Sequence, residues 1–471
     1  MTAKQAVQPL VGDQEARIYV YETTGGGASF INPVIKLKQG DIFQATLINQ
    51  LSEDTIVHWH GLHVDWYMDG HPSYAVPQGA SYKYHFTVQS RGGTYWYHPH
   101  PHGMTARQSY MGLSGFFIVE DRDDLNLRNS LDLKLGETDI PLVIQDKRLD
   151  EKGQPVYQPT EMEKFMGYEG DVIFVNLTAN PVLEVRSRVY RFRLLNGSNA
   201  RIYRLAFVKG GDNLPYYVIG TDGGLLDKPY RTSEIFVSPG ERVDLLLDLR
   251  TFDTGEVITL KSLSFDPMHR EEGGHGGHEG HGSSPVQAPK IGSGKEFHIL
   301  KLVLKDRIPY DRTVPQSLSR IEAINTSGVS IRPITLAASG MQWLINGMSY
   351  QMDQYPITVK KNTTEIWEFR NQPNSMPHPM HLHGFMFQVI ERDGSPEQVK
   401  KLAVDQLGRL VTDLGWKDTV LVWPGETVRI AIDFSHNFAG EQKLLTHCHV
   451  LEHEDQGMML NYMVKRYGNK G

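Results

Sequence analysis

A stretch near the C-terminus, residues 446–458, constrains the chain more than any other. It contains Cys448, the only cysteine among 471 residues, between His447 and His449. The residues before Cys448 have the pattern of a short strand, in which successive side chains point to opposite faces. His447 and His449 would then face one way and Cys448 the other. The stretch therefore predicts two different metal sites that are joined by one backbone segment.

The face that carries the cysteine predicts a mononuclear site. Two imidazoles, one thiolate and a weak axial thioether form the ligand set of a blue-copper electron-transfer centre. Cys448, His453 and Met458 supply three of these four groups, so one histidine must come from elsewhere in the chain. His447 and His449, on the other face, require a second cluster with further histidines.

The chain supplies those histidines as H-x-H pairs near its two ends. The pairs are His58 and His60, His98 and His100, His381 and His383, and His447 and His449. On a strand, both rings of an H-x-H pair share one face. Four such pairs among 20 histidines are far from a random scatter. His378, three residues before the third pair, is the histidine that the mononuclear site lacks.

Composition and internal repeats predict the fold. A chain of this length exceeds one hydrophobic core, and its 45 glycines and 25 prolines separate many short apolar runs, which favours an all-β fold. Pro239-Gly-Glu recurs as Pro424-Gly-Glu before an alternating strand, and Asn49 and Asn371 precede H-x-H pairs by similar distances. We predict three copies of one β-sandwich unit, with metal ligands in the first and third only.

We place the three domains at residues 1–135, 136–305 and 306–471. The first and third carry the metal ligands, and the third begins with a linker. The middle domain has no H-x-H pair and includes the segment 266–285, which is rich in glycine and histidine. Such a composition offers no core, so we expect a mobile surface loop there.

Charge and hydropathy argue against two kinds of partner. The net charge is −7 and no Lys/Arg run is present, so we expect no nucleic-acid partner. No apolar run approaches the roughly 18 residues that membrane insertion needs. The first residues lack a secretory signal segment, a pattern that a mature exported chain would share. One cysteine allows no intramolecular disulfide, and we expect a monomer.

In order and spacing, the motifs resemble those of the multicopper oxidase family, which includes laccases. The motifs are His58-Trp-His60-Gly-Leu-His, Trp96-Tyr-His98-Pro-His100, His378-Pro-Met-His381-Leu-His383-Gly, and His447-Cys448-His449-x3-His453-x4-Met458. They span nearly the whole chain and are closest to the three-domain bacterial branch. The resemblance implies three consecutive cupredoxin-like Greek-key β-sandwich domains.

The resemblance also implies four copper ions per chain and a role for each ligand. It assigns the type 1 copper to His378, Cys448, His453 and axial Met458, the type 2 copper to His58 and His381, and the type 3 pair to His60, His98, His100, His383, His447 and His449. A reductant would give up one electron at a time at type 1, and O₂ would be reduced to water at the other three coppers. Asp69 and Glu454 are implied as catalytic carboxylates that deliver protons.

Two alternatives remain for the identity of the electron donor. A laccase-like enzyme would oxidise phenols or aromatic amines and needs an exposed type 1 histidine edge beside a shallow apolar cleft. A metallo-oxidase would oxidise Cu(I) or another low-valent metal ion, assisted by the His-rich segment 268–282. A copper store, a simple electron carrier or a copper nitrite reductase would not need four H-x-H pairs. The resemblance favours a periplasmic or extracellular location.

Overall fold

A computed structural model describes residues 1–25, 28–268 and 291–466. Strands dominate this part of the chain, so the all-β prediction is confirmed, and the longest described helix has nine residues. None of the described helices has the length and apolar character that crossing a membrane requires. Most of the predicted loop 266–285, including its histidines, lies outside the described residues.

The first third of the chain forms two sheets with the orders β3-β2-β1-β5-β7 and β4-β9-β8-β6. The apolar side chains between them include Trp59, Tyr84 and Phe117. Helix α1 (Thr105–Tyr110) lies between β8 and β9, helix α2 (Arg122–Ser130) follows β9, and 3-10 turns span Trp66–Met68 and Pro72–Tyr74. The strands are β1 (Thr2–Val11), β2 (Gln14–Gly25), β3 (Ala28–Ile31), β4 (Ile35–Lys38), β5 (Ile42–Asn49), β6 (Val57–His60), β7 (Ser81–Thr87), β8 (Gly93–Pro99) and β9 (Gly115–Glu120).

The middle third forms a seven-stranded sheet, β12-β11-β10-β14-β20-β17-β18, and a six-stranded sheet, β13-β22-β21-β15-β16 with β19 paired to β15. One short helix, α3 (Glu161–Met166), lies between β10 and β11. The strands are β10 (Asp139–Lys147), β11 (Val172–Val175), β12 (Thr178–Ala179), β13 (Val182–Arg186), β14 (Val189–Asn196), β15 (Tyr203–Lys209), β16 (Asp212–Leu214), β17 (Tyr216–Thr221), β18 (Gly224–Thr232), β19 (Ile235–Val237), β20 (Arg242–Asp248), β21 (Val257–Ser262) and β22 (Phe297–Asp306).

The last third forms two five-stranded sheets, β24-β23-β26-β30-β28 and β25-β32-β31-β27-β29. Its helices are α4 (Glu397–Lys400) and α5 (Leu451–Asp455), with a 3-10 turn at Val411–Asp413. The strands are β23 (Ile331–Ser339), β24 (Gln342–Ile345), β25 (Ile357–Lys360), β26 (Thr364–Asn371), β27 (His378–Leu382), β28 (Phe387–Asp393), β29 (Thr419–Val422), β30 (Thr427–Asp433), β31 (Gln442–Cys448) and β32 (Met459–Lys465).

The internal repetition has a structural counterpart in each third. Asn49, Asn196 and Asn371 each end an inner strand, and each side-chain amide donates hydrogen bonds to two backbone carbonyls 2.8 to 3.0 Å away. These bonds tie the strand end to the loop beyond it, because a buried carbonyl has to find a donor. Two of these loops lead towards H-x-H strands, so the same arrangement of hydrogen bonds precedes an H-x-H pair twice.

Helix α2 belongs by packing to the middle third, although the predicted boundary puts it in the first. Leu127 and Leu131 share an apolar cluster with Val189 and Leu246. Asp124, also on α2, accepts a 2.6 Å hydrogen bond from the buried Arg191 guanidinium. These contacts attach α2 to the middle third, and the domain boundary at residue 135 stays a prediction.

Candidate metal centre

Antiparallel pairing places the H-x-H strands face to face. On β6 and β8, His58 lies opposite His98, and on β27 and β31, His381 lies opposite His447. The two strand pairs belong to different thirds of the chain and meet at their histidine faces. The His60 and His381 rings stack with centroids 3.7 Å apart, and the His58 and His383 rings stack at 3.8 Å.

The eight H-x-H histidines form one buried cluster. One group in it comprises His100, His383 and His447, whose nearest ring nitrogens approach within 3.0 to 3.3 Å. Another comprises His60, His98 and His449, whose ring centroids lie 5.1 to 5.5 Å apart. Between them, His58 Nε2 lies 3.4 Å from His381 Nε2.

The chemistry of these rings fits metal ions. Burial lowers the pKa of His58, His98 and His449, and neighbouring histidines lower it further, so the rings are neutral and offer lone pairs. Both ring nitrogens of His449 and the Nδ1 of His100 are buried without a hydrogen-bond partner among the described residues. Buried polar atoms are rarely left unpaired, and an all-imidazole set suits copper.

A second group surrounds the cysteine. The Cys448 Sγ lies 3.5 Å from the Nδ1 atoms of both His378 and His453, and all three residues are fully buried. Met458 is buried in the same apolar cluster, and its carbonyl accepts a 3.0 Å hydrogen bond from the Cys448 N–H. Burial raises the pKa of the metal-free thiol, so a bound cation would have to displace a proton from it.

Asp69 contacts the cluster from the loop after β6. Its Oδ2 lies 2.6 Å from His383 Nδ1, and its backbone carbonyl lies 2.6 Å from His58 Nδ1. The carboxyl is 1% exposed, and burial raises its pKa well above its usual range. Asp69 thus orients two cluster histidines at once.

Glu454 contacts the cluster from helix α5. Its two carboxyl oxygens lie 3.5 Å from His100 Nε2 and 3.2 Å from His447 Nδ1. Burial, with the neighbouring Asp455, raises its pKa well above its usual range. The structure therefore brings both predicted carboxylates to the cluster, on different sides.

Asp418 and Arg242 are neighbours of the cluster that sequence patterns did not reveal. Asp418 Oδ1 lies 2.9 Å from His60 Nε2, and its carbonyl lies 2.9 Å from His381 Nδ1. Arg242, from the middle third, donates to both Asp418 oxygens. Burial by itself would raise the pKa of Asp418. Arg242 and His60 nevertheless hold that pKa well below its usual range. An arginine inside the apolar strand β20 was the one available signal.

Three more unpredicted residues surround the cysteine group. The carbonyl of Phe165 accepts a 2.9 Å hydrogen bond from His453 Nε2, and Ser375 Oγ lies 3.2 Å from His378 Nε2. Trp343 packs its ring 4.7 Å from that of His378. Phe165 and Trp343 have no motif that marks them, because one acts through its backbone and the other looks like an ordinary core residue.

Comparison with known proteins shows which family this chain resembles. Two family models, both described as multicopper oxidase, match residues 15–124 and 324–467. The laccase of Bacillus subtilis (strain 168) is 31% identical over 438 residues, covering 86% of this chain and 78% of the laccase.

Solved structures show the same fold along the whole chain, which confirms the predicted fold class. The McoA multicopper oxidase of the hyperthermophile Aquifex aeolicus is 42% identical with a TM-score of 0.87, covering 98% of this chain and 95% of that one. A multicopper oxidase from Campylobacter jejuni, a metallo-oxidase, is 26% identical with a TM-score of 0.77, covering 99% and 90%. By its family models, its relatives and its buried histidine cluster, the chain belongs to the multicopper oxidase family.

Proposed function

We propose that the chain binds four copper ions and couples the oxidation of an external reductant to the reduction of O₂ to water. Membership of the family implies copper. We assign His378, Cys448, His453 and Met458 to a type 1 ion, His58 and His381 to a type 2 ion, and the remaining six H-x-H histidines to a type 3 pair. The observation that carries the proposal is the covalent link from Cys448 to His447 and His449, which joins the two sites.

Bound copper would supply one-electron transfer at the cysteine site and multi-electron reduction of O₂ at the cluster. The chain's own contribution is position and protons. Asp69 and Glu454 lie on different sides of the cluster, each within 3.5 Å of a ligand histidine. From there a carboxyl group could pass protons towards the oxygen that is being reduced. The buried Asp418 holds the ring of His60 in one orientation.

A copper and oxygen balance tests this proposal. The purified chain should take up about four copper ions per molecule, and each O₂ consumed should oxidise four equivalents of a one-electron donor without releasing peroxide. Released peroxide, or a copper content that stays at one ion per chain while O₂ uptake continues, would contradict it.

For the donor, we propose first a laccase-like oxidation of phenols and aromatic amines, which the similarity to the Bacillus laccase supports. The alternative is a metallo-oxidase that acts on Cu(I), which the similarity to the Campylobacter enzyme supports. One observation favours the alternative, since His378 and His453 are both fully buried and offer no exposed imidazole edge. Comparing kcat/KM for a methoxyphenol and for Cu(I) on one preparation separates the two.

A further inference from the structure

The outward edges of the two type 1 histidines are already hydrogen-bonded to the protein. His453 Nε2 donates to the carbonyl of Phe165 at 2.9 Å, and His378 Nε2 lies 3.2 Å from Ser375 Oγ. An organic donor that has to contact an imidazole edge meets these groups first.

A pair of stacked aromatic rings packs beside these histidines. Phe165 and Trp343 stack with centroids 4.7 Å apart and an interplanar angle of 11°. The indole ring lies 4.7 Å from that of His378 and 5.8 Å from that of His453. Its Nε1–H donates at 2.8 Å to the same Phe165 carbonyl that His453 uses. One peptide group therefore ties the histidine, the indole and helix α3 together.

Helix α3 is anchored at both ends. At its start, Thr160 and Glu163 form a capping box, and Arg148 donates a 2.5 Å hydrogen bond to Glu163. Just beyond its end, the N–H of Tyr168 donates to Glu452 at 3.2 Å. Glu452 lies on α5, the helix that carries His453, so the position of α3 is set relative to the metal ligand itself.

We propose that α3 is a fixed lid over the type 1 site and that Phe165, stacked on Trp343, determines which reductants reach it. The lid favours donors that pass electrons through the Phe165–Trp343 layer over phenols that must contact an imidazole edge. The role in donor selection rests on the proposed oxidase function. The lid itself can be tested in the copper-free chain.

Cys448 is the only thiol, so its modification rate in the copper-free protein reports access to the site. Phe165→Gly removes one ring of the stack and loosens the helix. We expect the rate with an aromatic disulfide reagent to rise on the order of tenfold, because local opening becomes easier. Leu125→Gly is the matched control, since Leu125 is a 36% exposed apolar residue on the remote helix α2. It should leave the rate unchanged.

Phe165→Tyr retains the stack and should behave like the unmodified protein in the thiol assay. A small reagent that transfers a methylthio group to the thiol and releases its other sulfur as the leaving group serves as a size control. Its rate should rise less in Phe165→Gly than the rate of the aromatic reagent. Melting temperatures of all variants show whether a rate change reflects local opening or general unfolding. Equal thiol rates in the unmodified protein and in a folded Phe165→Gly variant would overturn the lid.

In the copper-loaded enzyme, Phe165→Gly should raise kcat/KM for a methoxyphenol several-fold relative to that for Cu(I). An unchanged ratio would overturn the role of Phe165 in donor selection. If the unmodified enzyme consumes no O₂ with any donor, the proposed function fails, whereas the thiol rates still decide whether α3 covers the site.

Discussion

Cys448 is the residue on which both proposed sites depend. Its side chain faces His378 and His453, while the residues on either side of it in sequence belong to the histidine cluster. This division follows from strand geometry, in which neighbouring side chains point to opposite faces. A change at this one side chain should therefore affect one site and spare the other.

We expect Cys448→Ser to abolish the blue colour and donor oxidation, because a serine hydroxyl is a poor ligand for a soft metal ion. The cluster histidines are untouched, so about one copper ion per chain should be lost and the others kept. Copper analysis and the visible spectrum check this. A variant that stays blue would exclude Cys448 as the type 1 ligand.

At Asp69, the proposed role is proton delivery. Asp69→Asn preserves size and polarity beside His383 but removes the ionisable group. General acid catalysis typically contributes about 10²- to 10⁴-fold, so we expect O₂ reduction to slow by roughly that factor. The blue colour and the anaerobic reduction of the type 1 site by a donor should remain. Stopped-flow reoxidation by O₂ is the measurement, and unaltered reoxidation would count against the relay.

At the scale of elements, the two Pro-Gly-Glu turns have the same backbone conformation but different packing environments. Gly240 and Gly425 both adopt positive φ, +84° and +77°, before strands β20 and β30. A Cβ on Gly240 would lie 2.8 Å from the His449 ring, whereas one on Gly425 would meet nothing closer than 3.8 Å. The first turn is thus packed against a histidine of the cluster, and the second is not.

These turns provide a matched pair of variants. Gly240→Ala and Gly425→Ala should each lose about 1–2 kcal/mol of unfolding free energy, because alanine is strained at positive φ. Only Gly240→Ala should also displace His449 and lower the copper content of the cluster. Denaturant titrations and copper analysis separate the two effects. Equal copper contents in both variants would show that the turn does not position His449.

At the scale of the whole molecule, a buried ionic network joins helix α2 to the strands of the middle third. Arg191 bonds Asp124 at 2.6 Å, and Arg193 bonds Asp139 at 2.7 Å, all four side chains being at most 1% exposed. Burial by itself would raise the pKa of Asp124. Arg191 and Arg193 nevertheless lower that pKa to about 2. The network connects helix α2 to strands β10 and β14.

This network predicts how the free energy of unfolding changes at acidic pH. A carboxyl with a depressed folded-state pKa stabilises the fold above its unfolded pKa of about 3.9, and this stability disappears as pH falls towards about 2. The contribution is roughly 2–3 kcal/mol. Asp124→Asn should lose stability at neutral pH by about 3–5 kcal/mol, because it unbalances a buried pair.

The same variant should show a weaker loss of stability between pH 4 and pH 2 than the unmodified protein. Asp311→Asn, at a fully exposed side chain, is the control. It should change neither the stability at neutral pH nor the loss of stability between pH 4 and pH 2. Denaturant unfolding at a series of pH values provides the data. Parallel pH profiles for Asp124→Asn and the unmodified chain would show that Asp124 does not titrate as proposed.

Much of this organisation could be predicted from local pattern. The H-x-H pairs, the lone cysteine and the alternating strands have fixed spacing in the chain, and spacing alone determines which side chains share a strand face. The histidines that now lie together in one buried cluster followed from that rule, whereas the all-β class and the repeated units followed from composition and from recurring motifs. Asp69 was identified because it lies close in sequence to His58 and His60 within a family motif.

Only the tertiary structure decided the contacts between distant segments. The packing of α2 on the middle third, the hydrogen bonds from Arg242 to Asp418 and the hydrogen bond from His453 to the Phe165 carbonyl all join residues far apart in sequence. No periodicity encodes such contacts, and the Phe165 contact is made by a backbone carbonyl that every residue possesses. The sequence by itself therefore determined which side chains can share a metal site, whereas the packing of one third on another decided which residues surround those side chains.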